Sequence, residues 1–321
     1  MPCVVRSSAW PSRWPTAKHR CGMPTAASSV EPPGPFFCIA TKPLLKPEVP
    51  PIATDRLLGD PVLGPGPETC LVCCGPSAGG FAHCFACWTV AHRLNLPLAP
   101  VLPVRLCPVP GPLYTALMGY KESPVDVARK RFADIVVAHF ASYFCRHRAC
   151  VVASLGGEGD VVLPVPSTSR PSASLERVAG LGDLAVNALG GTGGTGGTGG
   201  PAGRTCWLPS LLRRSTGPVG PMRPNTRAFS VADRASVRGA RIVLLDDTDV
   251  TGARAQSAAA ALRHAGARST VVIALGRVLR PDLVGAHAAY LARVRHQGAR
   301  DDRCGRCVPV RRRPEGRNEP R

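Results

Sequence analysis

The chain reads as an α/β protein: a twisted, mostly parallel sheet flanked by helices, preceded by a small cysteine-rich module. Three stretches carry that expectation. Arg241 to Ala253 (RIVLLDDTDVTGA) is a short apolar run closed by acids and a glycine turn. Asp160 to Pro166 (DVVLPVP) repeats the apolar run earlier in the chain, and two Cys-x-x-Cys pairs lie between residues 70 and 87.

Ile242 to Leu245 has the composition of a strand buried on both faces. Asp246 and Asp247 sit at its carboxyl end, and Thr248 to Gly252 is small and polar enough to open a helix. Along that helix Ala255, Ala258, Ala259 and Leu262 recur at helical spacing, with Gln256 and Arg263 expected to face outward. Gly266 stops the helix, and Thr270 to Leu275 forms the next strand. Acids and a glycine turn after a parallel strand fall where open α/β sheets bind ligands. Adjacent carboxylates accept bonds from two vicinal hydroxyls or help hold hydrated Mg²⁺. The helix N-terminus that follows favours a phosphate dianion. A ribose 5-phosphate satisfies both. The plainer alternative is a buried capping acid with a stray neighbour.

The 321 residues allow one sizeable α/β domain and a small module. Residues 1–66 are rich in Pro, Ser and Ala without periodicity and read as disordered, with Met23 an alternative start. No secretory signal is recognisable, and no stretch has about 18 consecutive apolar residues, so no membrane span is expected. A reducing cytoplasm follows as the expected location, where clustered cysteines are more often metal ligands than disulfides. The formal charge of +19 has two readings: attraction to nucleic-acid phosphates, or arginine-heavy surface and termini.

Residues 67–115 make the cysteine module. Cys70-x-x-Cys73 and Cys84-x-x-Cys87 flank a Gly-rich turn, the arrangement four thiolates need to close a tetrahedral shell around structural Zn²⁺. Cys74 and His83 are substitute ligands in this reading. Incidental cysteines or a redox pair are the rivals, although neither pair opens a helix after a strand.

Residues 116–299 form the α/β domain. Before it, Gly111 to Lys121 suggests a short helix ending at a glycine, and Ser123 to Asp126 suggests a capping box. Val125, Ala128, Phe132, Ile135, Val136 and Phe140 then share a helical face. Lys121 is expected as a surface lysine, with phosphate contact the alternative. After the strand at 160–166, Ser167 to Arg170 is either an anion-holding corner or an ordinary turn. The repeat at 190–200 (GGTGGTGGTGG) is expected to be a flexible insert, since it lacks the lysine and preceding strand of a phosphate-binding loop. Leu211 to Phe229 reads as a mobile basic loop, either covering a site or merely connecting elements. Residues 300–321 form a basic, disordered tail whose Cys304/Cys307 pair binds metal with another pair or another chain, or binds nothing.

LLDDTDVTGA resembles the phosphoribosyl-diphosphate motif of type I phosphoribosyltransferases. With the paired knuckles at 70–87, Tyr120-Lys121 and DVVLPVPSTSR at 160–170, the chain resembles the ComF-type proteins, over roughly residues 68–280. The resemblance implies a type I phosphoribosyltransferase-like sheet and a glycosyltransferase activity in nucleoside metabolism. Asp246 and Asp247 would take the ribose hydroxyls, directly or through Mg²⁺, as the catalytic pair. Asp249, Val250, Thr251, Gly252, Ala253 and Arg254 would wrap the 5-phosphate, and Ser167 and Arg170 would meet the pyrophosphate. Many members carry hydroxyls where this chain has Val250 and Arg254. The resemblance also implies an alternative: a non-catalytic factor in DNA uptake, or competence, that binds single-stranded DNA or DNA-processing proteins. A homo-oligomer is compatible with either.

Overall fold

The structure, a computed structural model, describes residues 58–64, 66, 68–77, 79–167, 175, 178–189, 205–297 and 304–307. All of them belong to one compact unit. Cys3, Cys21, Cys38, Arg170 and the Gly/Thr repeat lie outside the described residues.

Five parallel strands form the main sheet in the order β1-β7-β6-β2-β3. They are β1 (Val101–Pro108), β2 (Val161–Pro164), β3 (Cys206–Trp207), β6 (Arg241–Asp249) and β7 (Ser269–Leu279). Every side chain from Ile242 to Leu245 is fully buried, as a central parallel strand requires. β6 runs longer than the apolar pattern marks: it continues through both acids to Asp249, held in register by β7 up to Asp249 opposite Arg277. The fold is therefore α/β with a parallel sheet, as the alternation of runs predicts.

One face of the sheet packs on α2 (Pro112–Glu122), α3 (Asp126–Leu155) and α4 (Leu181–Leu189). The other face packs on α5 (Ala253–His264) and on an antiparallel pair, β4 (Leu212–Arg214) with β5 (Phe229–Val231). A helix α1 (Phe85–Leu94) lies over α5, and α6 (Gly285–His296) packs Tyr290, Leu291 and Val294 against Val62, Leu106 and Leu279.

Several local expectations change. Gln256 does not face water. α1 and the segment after it cover the side of α5 left to solvent by a single-stripe pattern, so α5 is buried nearly all round. Its run of alanines permits this close approach on both sides. Gln256 is enclosed and reads the Ala99 backbone: its Oε1 accepts from the Ala99 N–H (2.9 Å) and its Nε2 donates to the Ala99 carbonyl (2.8 Å). Gly119 does not end α2, which runs on to Glu122. A side chain at Gly119 would overlap the Phe132 ring, so the glycine serves the α2–α3 contact. Ser123 accordingly caps the end of α2 through its N–H to the Gly119 carbonyl, and Val125 precedes α3 without a side-chain cap.

The module boundaries dissolve in three dimensions. β1 falls within 67–115 yet is a strand of the main sheet, paired along its length with β7. Asp60, from the stretch expected to be disordered, bridges to Leu106 and binds Arg295 (2.9 Å). The 211–229 segment is packed, with Leu211, Leu212, Ala228 and Phe229 in the core. Among the described residues, no helix is long and apolar enough to cross a membrane.

Gln256→Leu keeps the volume of the side chain but strands the Ala99 N–H and C=O in the core. Two unsatisfied backbone groups should lower unfolding stability by about 2–5 kcal/mol, measurable by urea denaturation. An unchanged midpoint would show that the Gln256–Ala99 pairing contributes nothing.

Candidate ligand cleft and metal centre

β2 and β6 are neighbours whose onward connections leave in opposite directions, β2 toward β3 and β6 toward β7. A crevice opens beyond their carboxyl ends at such a switch point. On the β6 side of this point lies a cleft of about 280 Å³, lined by Asp246, Thr248 to Ala255, and Val219, Gly220 and Pro221 from the β4–β5 connection. That connection is fastened over the loop: Met222 N–H donates to Thr251 Oγ1 (3.3 Å) and Asn225 N–H to Ser257 Oγ (2.9 Å).

Gly252 turns the chain into α5 with φ 75°, the left-handed region where a side chain is strained. It offers no side-chain cap. The first-turn N–H groups of an uncapped helix, with the positive end of its dipole, suit an anion.

Alternation along β6 separates the two acids. Asp246 lines the cleft. Asp247 turns toward α2, where its Oδ2 accepts from the Tyr120 hydroxyl and pairs with Lys121, while its Oδ1 accepts from Thr248 Oγ1 (3.1 Å). Arg254 spans the pair, bonded to Asp246 Oδ1 and 3.3 Å from Asp247 Oδ1. Burial and the Asp247 charge push Asp246 up to about 7 against the pull of Arg254. Burial would raise Asp247 too, but Lys121, Arg254 and the Tyr120 hydroxyl hold it below the ordinary carboxylate range. Buried beside this carboxylate, the Tyr120 phenol is pushed well up and keeps its proton.

Asp246, Asp249, Val250, Thr251, Gly252, Ala253 and Arg254 thus share one cleft. Asp247 stands behind it. Ser167 lies three residues beyond the end of β2, at the same edge of the sheet, and Arg170 lies outside the described residues. Three residues of this site escape a reading of the motif alone. Lys121 is no surface lysine: its side chain is 16% exposed and paired with Asp247. Tyr120 is its neighbour on α2, and Arg277 comes from the far end of β7.

Arg277 is enclosed. Its Nη1 donates to the carbonyls of Asp249 (3.0 Å) and Val250 and lies 3.3 Å from Asp249 Oδ2. On its other side is the first cysteine knuckle, where a Cβ at Gly75 would come within 2.8 Å of Arg277 Nε. Burial opposes the charge on Arg277, but Cys73 and Asp249 more than offset it, so the guanidinium stays charged.

Cys70, Cys73, Cys84 and Cys87 are all buried, with their sulfurs within 4.8 Å of one another. Cys73 and Cys84 Sγ are 3.7 Å apart. Tetrahedral Zn–S bonds of about 2.3 Å place sulfurs about 3.8 Å apart, so the group can hold a structural metal such as zinc. Cys87 N–H donates to Cys84 Sγ (3.5 Å), an added bond to the sulfur. Neither substitute ligand belongs to the set: Cys74 points to the Gly305 carbonyl (3.8 Å), and His83 is exposed. A second group, His147, Cys150, Cys304 and Cys307, is gathered equally tightly and can hold a metal too.

The chain matches no known protein family and no curated protein.

Arg277→Met removes the cation between the cluster and the loop and leaves the Asp249 carboxylate buried alone. The expected loss is about 3–5 kcal/mol in denaturation of the zinc-loaded protein. Adding Asp249→Asn should recover part of it. A double variant no more stable than the single one would break the assigned pairing.

Proposed function

We propose that the cleft binds the phosphoribosyl group of phosphoribosyl diphosphate, and that the protein transfers it to a nitrogen acceptor as a ComF-type phosphoribosyltransferase. One observation carries the reading: an uncapped helix N-terminus and a carboxylate, Asp246, share a single cleft at the switch point of a parallel sheet. On this reading the 5-phosphate meets the first turn of α5, and the ribose hydroxyls donate to Asp246. Asp247, held from behind by Lys121, positions Arg254 beside them. The pyrophosphate extends toward the Ser167 turn. A nitrogen nucleophile attacks the anomeric carbon while the bond to pyrophosphate breaks, and the departing group takes the electron pair. Arg254 lines the cleft and would help hold the developing negative charge.

Magnesium does not fit the acid pair as it stands. Arg254 bridges both carboxylates and Lys121 holds the second, so a divalent ion would meet two fixed cations. No step is assigned to Mg²⁺. Ribose 5-phosphate should therefore still bind in the presence of a chelator that spares the zinc.

Calorimetric titration with ribose 5-phosphate and phosphoribosyl diphosphate tests the reading. Binding is expected for both and should weaken at least tenfold in Asp246→Asn; no heat with either ligand would sink it. The pH dependence has a definite sign. Asp246 keeps a proton up to about 7 in the free protein, and only its ionised form accepts from both ribose hydroxyls. Affinity should rise as pH passes through that value, beyond the change due to the ligand phosphate, which ionises at about 6. Asp246→Asn should leave only the ligand's own titration.

A second reading, single-stranded DNA binding with a role in DNA uptake, is supported by a different surface. Phe85 and Trp88 on α1 are 71% and 56% exposed, and Phe85, Trp88 and His92 stack in sequence. Exposed stacked rings on a strongly basic chain suit unpaired bases. Trp88→Ala should cost about 1–3 kcal/mol of single-strand affinity, read as a Kd weaker by roughly 5- to 150-fold. Binding that ignores both Trp88 and salt would remove this reading.

A further inference from the structure

The second cluster joins parts of the chain far apart in sequence. His147 and Cys150 stand one turn apart on α3, and Cys304 and Cys307 form a knuckle near the C-terminus. Their four ligand atoms lie within 4.8 Å of one another. Cys307 Sγ is 3.7 Å from Cys150 Sγ, 3.6 Å from Cys304 Sγ and 3.5 Å from His147 Nδ1. A tetrahedral zinc with Zn–S of about 2.3 Å and Zn–N of about 2.0–2.1 Å sets sulfurs about 3.8 Å apart and nitrogen about 3.5 Å from sulfur. The separations match an ion-sized gap and are far longer than a disulfide, in which the sulfurs are about 2 Å apart.

Two further observations point the same way. α3 leaves helical geometry at one residue, His147 (φ −122°, ψ 15°), the residue whose ring nitrogen faces the sulfurs. The Tyr143 ring, 4.9 Å from the imidazole, backs it. Within the knuckle, Cys304 N–H donates to Cys307 Sγ (3.3 Å) and Cys307 N–H to the Cys304 carbonyl (3.1 Å). The first cluster shows the same kind of N–H-to-sulfur bond, from Cys87 to Cys84.

We propose that His147 Nδ1 and the thiolates of Cys150, Cys304 and Cys307 bind one structural Zn²⁺, separate from the ion of Cys70, Cys73, Cys84 and Cys87. Loading releases three thiol protons to solvent, and the neutral imidazole supplies the fourth electron pair. Four protein ligands close the shell and leave no position for substrate. The site staples the C-terminal segment to α3. That segment in turn grips the first knuckle: Arg306 donates to the Leu71 carbonyl, and the Gly305 carbonyl accepts from Cys74 Sγ. The second ion thereby holds the first knuckle against the body of the protein.

Metal analysis of the full chain, purified under reducing conditions with zinc, should find two equivalents. The Cys304→Ser/Cys307→Ser double variant should hold one. X-ray absorption at the zinc edge tests the same point without substitution: the two sites together present seven sulfurs to one nitrogen, whereas the first alone presents only sulfur. One equivalent with an all-sulfur shell overturns the proposal. So does a Cys304–Cys307 or Cys150–Cys307 disulfide, two hydrogen atoms lighter by mass than the dithiol, in zinc-loaded protein. If the double variant does not fold, the wild-type stoichiometry and shell decide alone.

Discussion

A single buried cation, Arg277, ties together the parts of this protein that have chemistry to do. A guanidinium in a protein interior needs opposite charge beside it. Here the cysteine cluster lies on one side, and the Asp249 carboxylate with the Asp249 and Val250 carbonyls lies on the other. The four thiolates of a loaded zinc site would carry a net charge of about −2, which the guanidinium offsets only in part. The cysteine module is thus not an appendage. Its electrostatics and the shape of the loop entering α5 are set by the same side chain, and Gly75 lacks a side chain where one would collide with Arg277.

The acid pair follows from the strand that bears it. Because β6 continues past Leu245, Asp246 and Asp247 obey strand alternation and divide their work. Asp247 is consumed by α2, through Tyr120 and Lys121. Asp246 keeps the cleft. Arg254 reaches both carboxylates and ties the pair together electrostatically.

Short-range physics was readable from the residues. Strand composition at 242–245 and 161–164, the glycine turn at Gly252 and the spacing of the first two knuckles all reappear in the structure. Errors arose where a residue's neighbour came from a distant element. Gln256 looked exposed because nothing local announces that α1 covers α5. Lys121 looked solvated because its carboxylate partner is 126 residues away. The Cys304/Cys307 pair stays open in the sequence because the residues it gathers with sit in the middle of α3.

The sequence by itself determined the α/β class, the strand–acid–glycine–helix unit and one four-cysteine set. These depend on periodicity, turn chemistry and ligand spacing within about twenty residues. The tertiary structure alone decided which acid faces the cleft, which cations neutralise the pair and that the last cysteines complete a second ligand set. Those outcomes depend on sheet order and on helices laid across it, and no local pattern encodes such long-range pairing.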